Sequence, residues 1–133
     1  MDVTGVRFLG IHHAAIIATD YARSKRFYTE TLGGTVLDEN YRADRDSWKL
    51  DIALADGIRI ELFSFPDPPA RPSRPEAAGL RHLALAVTDV AATLAQLRAR
   101  GVRTEELRTD EHTGKQMAFF FDPDDLPLEL YEA

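Results

Sequence analysis

The sequence contains no cysteine, which excludes disulfide bonds and thiolate metal ligands. It has no apolar run near the roughly 20 residues that a membrane-spanning helix needs. Its first residues lack the basic start and apolar stretch of a signal peptide. It also lacks a basic excess, because the formal net charge is −6 at pH 7, which argues against nucleic-acid binding. We therefore expect a soluble, cytoplasmic protein in which any metal is held by His, Asp or Glu.

The 133 residues, 44% of them hydrophobic, are sufficient for one domain, residues 1–133, with a packed interior. Residues 66–79 contain five prolines. Because proline fixes φ and removes a backbone donor, this stretch is neither a central strand nor a regular helix. It predicts a linker between two modules, at about residues 8–65 and 80–132.

The first module begins with an apolar, partly β-branched stretch that predicts a buried strand over residues 8–18. Because side chains alternate along a strand, His13 and His12 are expected on opposite faces. Asp20 stands where an N-cap accepts from free helix N–H groups, which predicts a helix over residues 21–32. Three strands are expected after this helix, at residues 35–42, 48–55 and 58–65.

The second module repeats this order of elements. Residues 81–87 predict a strand that carries His82, and Asp89 is placed to cap a helix that ends at Gly101. Three strands are again expected, at residues 102–109, 115–121 and 127–132.

Four landmarks recur between the modules at almost the same offset. The offset is 69 residues for His13–His82 and Asp20–Asp89, and 68 residues for Gly33–Gly101 and Glu61–Glu129. This agreement predicts a duplicated βαβββ unit and an α+β fold. Two copies at so long a period do not form a solenoid.

The duplication pairs two histidines with two glutamates. Each His lies on a first strand, and each Glu lies on a last strand between apolar neighbours. A buried Glu costs several kcal/mol, as an order of magnitude, unless it is paired or metal-bound. If the modules pack about a pseudo-twofold axis, a divalent metal (Zn, Ni, Co, Mn or Fe(II)) would meet His13, Glu61, His82 and Glu129. The alternatives are core or surface histidines, strand glutamates that face water, and His12 in the place of His13.

The motifs around these residues resemble those of the vicinal oxygen chelate (VOC) superfamily over nearly the whole chain. Within it, residues 63–66 and 71–76 are most similar to a small bacterial glyoxalase-like branch. The resemblance implies the glyoxalase/bleomycin-resistance/dioxygenase fold, in which paired modules form a cupped mixed sheet around a divalent metal. The matching segments are His13…Thr19-Asp20, Ile60-Glu61-Leu62, Gly79-Leu-Arg-His82 and Phe121-Asp-Pro-Asp-Asp-Leu-Pro-Leu-Glu129. The ligands implied are His13, Glu61, His82 and Glu129.

The same resemblance implies a metal-dependent lyase or isomerase of glyoxalase I type. Its substrate would be a small molecule with vicinal oxygens, converted through a metal-stabilised enediolate, with Glu129 as the base and Glu61 as its counterpart. There are two alternatives on the same fold. The first is an Fe(II) or Mn(II) extradiol-type dioxygenase, although dioxygenase members usually carry another residue type at the position of Glu61. The second is a non-enzymatic small-molecule binding or resistance protein. Members of the superfamily often form homodimers, and the four ligands come from one chain or are shared by two.

Two features depart from the family pattern. Asp125 stands where the family has the glycine of an Asp-Pro-Asp-Gly turn, so we expect a strained turn and an intact strand. No set of glutathione-binding residues is apparent. Arg71 and Arg74 in the linker have two interpretations: the linker is only a spacer, or these residues fold over the cleft and hold a phosphate or carboxylate.

Overall fold

The computed structural model describes residues 5–133, and its elements follow the predicted order. The first module contains β1 (Ala14–Ala18), α1 (Tyr21–Arg26) with a π-helical extension (Phe27–Thr31), β2 (Thr35–Arg42), a 3-10 turn (Ala43–Arg45), β3 (Ser47–Ala55) and β4 (Ile58–Ser64). The second contains β5 (Leu83–Val87), α2 (Val90–Ala99), β6 (Arg108–Thr109), β7 (Gln116–Phe121) and β8 (Pro127–Glu132). Among the described residues, no helix is long and apolar enough to cross a membrane.

Each module forms one four-stranded mixed sheet. The strand orders are β1-β4-β3-β2 and β5-β8-β7-β6. The first and last strands of each module pair in parallel, with Ala15 opposite Glu61 in one module and Ala84 opposite Glu129 in the other. These pairs repeat the offsets read from the sequence. The α+β fold and the duplicated βαβββ unit are therefore confirmed.

Both predicted helix caps are present. The Asp20 carboxylate accepts a hydrogen bond from the backbone N–H of Arg23 at 3.1 Å, and the Asp89 carboxylate accepts one from Ala92 at 2.9 Å. Both capping residues have extended backbone angles, as N-caps do. The helices thus begin where the sequence predicts, which directs their apolar faces onto the sheets.

The two modules share one hydrophobic core. It joins α1 and its extension, α2 and the inner faces of both sheets. Polar contacts cross between the modules: the buried Tyr28 hydroxyl donates to Asp122 Oδ2 at 2.7 Å, and Arg100 Nη1 donates to the carbonyl of Thr31 at 2.6 Å in an exposed contact. The backbone N–H of Thr19 donates to Asp124 Oδ2 at 3.1 Å. Apolar packing and directional hydrogen bonds together fix how the modules sit against each other.

Asp122 is the most buried carboxylate among these contacts, with 4% of the residue exposed. Its Oδ1 accepts from the backbone N–H groups of Asp124 and Leu126, each at 2.9 Å. Burial raises the pKa of Asp122, and the hydrogen bonds from Tyr28 and from these two N–H groups oppose that rise. The turn ends at Asp125, whose φ of +62° lies in the left-handed region, so the predicted strain is confirmed.

The predicted strand over residues 8–18 is wrong in its first half. β1 begins at Ala14, opposite Ile60 on β4. Since β4 itself begins at Ile58 after a turn, the residues before 12 have no strand to continue pairing with. The apolar side chains of this N-terminal arm (residues 5–13) are highly exposed, at 85% for Phe8, 105% for Leu9 and 90% for Ile11.

The predicted strand over residues 102–109 is also shorter than expected. Regular pairing is limited to β6, and Thr104 makes an isolated bridge to Phe120. The cause lies on α2, where Arg98 donates to the Thr104 hydroxyl at 2.8 Å and to the carbonyl of Glu105 at 3.1 Å. These bonds tie the segment to the helix, while the Glu105 N–H still donates to the carbonyl of Phe119 on β7 at 2.8 Å.

Candidate metal centre

The first His–Glu pair lies where β1 begins beside the middle of β4. Ile60 and Leu62 enter the core with 3% and 0% exposure, so alternation directs Glu61 to the opposite face. There Glu61 Oε2 lies 3.3 Å from Nδ1 of His13. The Glu61 side chain is 12% exposed and that of His13 is 35% exposed. The pair is open on the histidine side.

His12 lies against His13, and the prediction that the two rings point to opposite faces is wrong. Their Nδ1 atoms are 2.9 Å apart, and the rings meet edge to face with centroids at 5.1 Å. The alternation does not apply because the strand begins only after both residues. The carboxylate of Glu61 contacts His13.

The second His–Glu pair occupies the same place in the second module. Leu128 and Leu130 are each 2% exposed in the core, which directs Glu129 to the other face of β8. Glu129 Oε1 lies 3.4 Å from Nε2 of His82, and its side chain is 10% exposed. Each module thus carries one imidazole and one carboxylate in contact.

Arg81 contacts the other nitrogen of the His82 ring, with Nη1 at 3.0 Å from Nδ1. A guanidinium has donors only, so Nδ1 accepts and a neutral ring carries its proton on Nε2, facing Glu129. A metal binds the unprotonated nitrogen of a neutral imidazole. Metal binding through Nε2 therefore requires Arg81 to release Nδ1.

The two N···O distances fit the edges of a metal polyhedron. Two ligands at about 2.1 Å from one metal lie about 3.0–3.4 Å apart for octahedral to tetrahedral angles. The observed His–Glu N···O distances of 3.3 and 3.4 Å lie within this range. They are longer than the usual 2.9–3.0 Å of an N–H···O hydrogen bond. Imidazole and carboxylate are also the correct donors for a borderline divalent metal. Within residues 5–133, however, no group of three or more such ligands comes together, so the chain presents two separate pairs.

Two residues that the sequence analysis missed stand beside the glutamates. Asp51 on β3 lies opposite Glu61, and Phe119 on β7 lies opposite Glu129. These positions are equivalent in the repeat, yet one carries a charge and the other an aromatic ring. The register across the hairpin identifies them, and the module offset of 68 residues relates them.

The surroundings of the two glutamates consequently differ in charge. Lys49 Nζ lies 3.8 Å from Glu61 Oε1 and 3.2 Å from Asp51 Oδ1, and Arg59 Nη2 lies 4.0 Å from Asp51 Oδ2, so two cations face two carboxylates. In the second module, the Phe119 ring packs edge to face against His82, with centroids at 5.0 Å. Glu61 belongs to a charged network, whereas Glu129 stands beside an aromatic wall.

A cavity of about 430 Å³ provides space next to the second pair. Ala15 and Ile17 of β1, His82, and prolines of the linker contribute to its wall. The cavity therefore borders the first strands of both modules. Its size is sufficient for a small organic molecule.

The fold and the two pairs define a class of protein. Each of its two βαβββ modules has a histidine directly before its first strand and a glutamate in the middle of its last strand. The chain belongs to the Glyoxalase/Bleomycin resistance protein/Dioxygenase superfamily, which matches residues 10–130. The resemblance seen in the motifs is thereby confirmed.

Similar proteins cover nearly the whole chain. The protein YaeR of Escherichia coli (strain K12) is 60% identical over 122 residues, which are 92% of this chain and 95% of YaeR. The crystal structure of a glyoxalase family protein from Enterococcus faecalis has a TM-score of 0.88 at 51% identity, covering 94% of this chain and 98% of that chain. The trypanothione-dependent glyoxalase I of Leishmania major is more distant, with a TM-score of 0.72 at 27% identity over 91% of this chain and 84% of that one.

Proposed function

We propose that the protein is a metal-dependent lyase or isomerase of glyoxalase I type, acting on a small substrate with vicinal oxygens. The observation that carries the proposal is the pair of His–Glu contacts at equivalent repeat positions, with N···O distances of 3.3 and 3.4 Å. The likeness to the Leishmania major glyoxalase I supports it. The ligands in this proposal are His13, Glu61, His82 and Glu129.

The chemistry proposed is proton transfer at a carbon next to a carbonyl. A divalent metal, when bound, supplies Lewis-acid polarisation of the substrate oxygens. The Glu129 carboxylate accepts the proton as the C–H bond breaks, and returns it to the neighbouring carbon. The reaction is redox-neutral, so no oxidant or reductant is needed. We assign the base to Glu129 because Glu61 also contacts a cation, the Lys49 ammonium, at 3.8 Å. In this proposal Glu61 serves as ligand and as counterpart on the other side.

Metal binding is the first prediction of this proposal. Protein stripped of metal and titrated with Zn²⁺, Ni²⁺ or Mn²⁺ should bind about one ion per chain, in solution with a dye competitor. His82→Ala and His13→Ala should each lower the affinity at least about 100-fold, because loss of even a supporting residue costs 10- to 100-fold. His12→Ala should keep the affinity, since His12 contacts the neighbouring ring rather than the carboxylate.

His112→Ala is the matched control, because its side chain is 86% exposed in a turn. It should bind metal as the wild type does. If the wild type binds no metal in stoichiometric amount, or if His112→Ala loses as much affinity as His82→Ala, the proposed ligand set is wrong.

We also propose that the chain, as one domain spanning residues 1–133, acts as a cytoplasmic homodimer. The exposed arm supports a dimer, because Phe8, Leu9 and Ile11 form an apolar segment that a second copy could cover. The separation of the two His–Glu pairs supports a shared site. The first pair of one chain would then meet the second pair of its partner, which completes both sites of the dimer at once.

Mixing two inactive variants tests this arrangement. Chains with His13→Ala and chains with His82→Ala each lack one ligand in every site. In a mixed dimer with shared sites, both defects fall in one site and the other is intact. Randomly reassembled dimers should therefore recover about one quarter of the wild-type metal sites. Sites that lie within one chain would recover none.

The arm itself is tested by sedimentation. The wild type should sediment at about twice the 14.9 kDa of one chain. The double change Phe8→Asp with Ile11→Asp should shift it towards monomer, because buried charges oppose association. Leu107→Asp, at another exposed apolar residue, serves as the control and should leave the dimer unchanged. A wild type that sediments as a monomer would contradict the shared site.

A further inference from the structure

A cavity of about 580 Å³ on the second module has five arginines in its lining. It lies between the linker, the segment before β6 and the face of β7 that carries Phe119 and Phe121. The cationic members of its lining are Arg71, Arg74, Arg81, Arg103 and Arg108. The acidic members are Glu76, Glu105 and Asp125. The lining therefore carries a formal excess of two positive charges.

Three of these arginines pack over aromatic rings. The guanidinium groups of Arg81 and Arg108 lie over the Phe119 ring, at 5.6 and 5.5 Å from its centroid, and that of Arg103 lies over the Phe121 ring at 4.0 Å. Cation–π contacts of this kind hold a guanidinium in place without using its N–H donors. Phe119 and Phe121 of β7 thus form an aromatic floor beneath three guanidinium groups.

Each of the three arginines also meets one carboxylate of the lining. The N···O distances are 3.6 Å for Arg81–Glu76, 2.6 Å for Arg103–Asp125 and 3.8 Å for Arg108–Glu105. In the part of the chain that the structure describes, the linker arginines Arg71 and Arg74 form no ion pair. These two account for the excess charge.

Two donors of the linker have no acceptor among the described residues. Arg71 Nε and Ser73 Oγ are both buried without a hydrogen-bond partner. Arg71 itself is held by its Nη2, which donates to the carbonyl of Arg81 at 3.0 Å. A buried donor without a partner is costly, and an oxyanion is the acceptor that would satisfy a guanidinium and a hydroxyl together.

The arginine cavity adjoins the second His–Glu pair. Arg81 reaches from it to His82, with 3.0 Å between Nη1 and Nδ1. The Phe119 ring is common to both places, because Arg81 and Arg108 lie over it and it also makes a T-shaped contact with the His82 ring. One molecule could therefore place one group among the arginines and another at the second His–Glu pair.

We propose that the arginine cavity binds a doubly charged oxyanion of the phosphate type, carried by the substrate. The inference rests on the proposed function, because it assigns the cavity to the substrate of that site. The two excess charges match a dianion better than a monocarboxylate. Fork-shaped guanidinium donors suit the oxygen geometry of a phosphate group. The substrate class is a small phosphorylated compound with vicinal oxygens.

Direct binding to metal-free protein tests the cavity without any turnover. Inorganic phosphate and acetate are titrated by calorimetry at constant ionic strength, because salt screens such contacts. Phosphate should bind at least about tenfold more tightly than acetate. Arg74→Gln and Ser73→Ala should each weaken phosphate binding severalfold, and Arg45→Gln, an exposed arginine in the 3-10 turn, should leave it unchanged. Equal binding of acetate and phosphate, or no effect of Arg74→Gln, would overturn the proposal.

A variant that is expected to bind phosphate more tightly than the wild type provides a further test, because poor folding would not increase the affinity. Asp125→Asn removes the carboxylate that holds Arg103, and asparagine tolerates the left-handed φ of +62°. The released Arg103 and the third excess charge should tighten phosphate binding severalfold. An unchanged or weaker affinity in a folded Asp125→Asn variant would count against the cavity as the binding place.

A second comparison distinguishes a substrate group from free phosphate. Glycerol 3-phosphate has vicinal hydroxyls beside its phosphate, so metal loading should tighten its binding at least about tenfold. Metal loading should leave inorganic phosphate within about twofold. If both respond equally, the cavity does not serve the substrate of the metal site. If phosphate binds as expected but the protein takes up no metal, the proposed function fails while the anion site stands.

Discussion

Glu129→Gln should lower the rate of proton transfer by about 100- to 10,000-fold, which is the usual contribution of a positioned base. The glutamine keeps the size of the side chain but cannot accept the proton. The rate is measured as deuterium exchange from D₂O into dihydroxyacetone phosphate, followed by NMR. This compound offers vicinal oxygens, a C–H bond next to a carbonyl, and a phosphate for the arginine cavity.

Glu61→Gln should lower the exchange rate much less than Glu129→Gln does, because the Glu61 carboxylate belongs to the charged network with Lys49 and Asp51. Its main expected effect is weaker metal binding, and much of the exchange rate should return at saturating metal. Glu129→Gln should stay slow at any metal concentration. Glu132→Gln is the control on the same strand, three residues further along, where the carboxylate accepts from the Gln116 N–H. Equal defects in Glu129→Gln and Glu61→Gln at saturating metal would refute the assignment of the base.

Asp122→Ala should lower the free energy of unfolding by about 3 kcal/mol, because one buried and two part-buried donors lose their acceptor. These donors are the Tyr28 hydroxyl and the N–H groups of Asp124 and Leu126. The melting temperature should fall by roughly 10 °C for a chain of this size. Asp44→Ala, at an exposed residue of the 3-10 turn, should stay within about 0.5 kcal/mol. A comparable loss in both variants would show that the buried contact is not the cause.

The pH dependence gives a further check on the same residue. Burial raises the pKa of Asp122 in the folded protein, so folding favours its protonated form. The corresponding stability is present below the unfolded pKa, near 3.9, and is lost as the pH rises through the folded value. Asp122→Asn does not titrate. The stability of the wild type relative to Asp122→Asn should therefore increase as the pH is lowered, as urea unfolding at several pH values would measure.

Most of the fold could be predicted because local signals and the repeat agreed. Asp20 and Asp89 are caps whose mechanism needs only nearby residues. The offset of 68–69 residues between the modules then predicts Glu61 and Glu129 in equivalent strands from the sequence alone. The prediction was wrong for the N-terminal arm. Its apolar residues resemble the beginning of a strand, but they have no pairing partner within the described chain.

The surroundings of the candidate site could be predicted much less. A plain hairpin continued from Ala55 opposite Ile58 would place Ile52 opposite Glu61. The irregularity between Ala53 and Ala55 shifts this register by one residue and brings Asp51 there instead. The contacts of the linker arginines depend on where an irregular chain folds back, for which no periodic pattern exists. The four predicted ligands stay a prediction, because the structure shows them as two pairs.

The difference between Asp51 and Phe119 has a stereochemical consequence. Two identical modules would offer a bound molecule two equivalent ways to lie, related by the pseudo-twofold axis. Here one side of the proposed site is a charged network and the other an aromatic wall bordered by arginines. A substrate with one anionic end can then bind in only one orientation, and the base meets only one face of its reacting carbon. The divergence of two duplicated positions thus makes the two sides of the proposed site inequivalent.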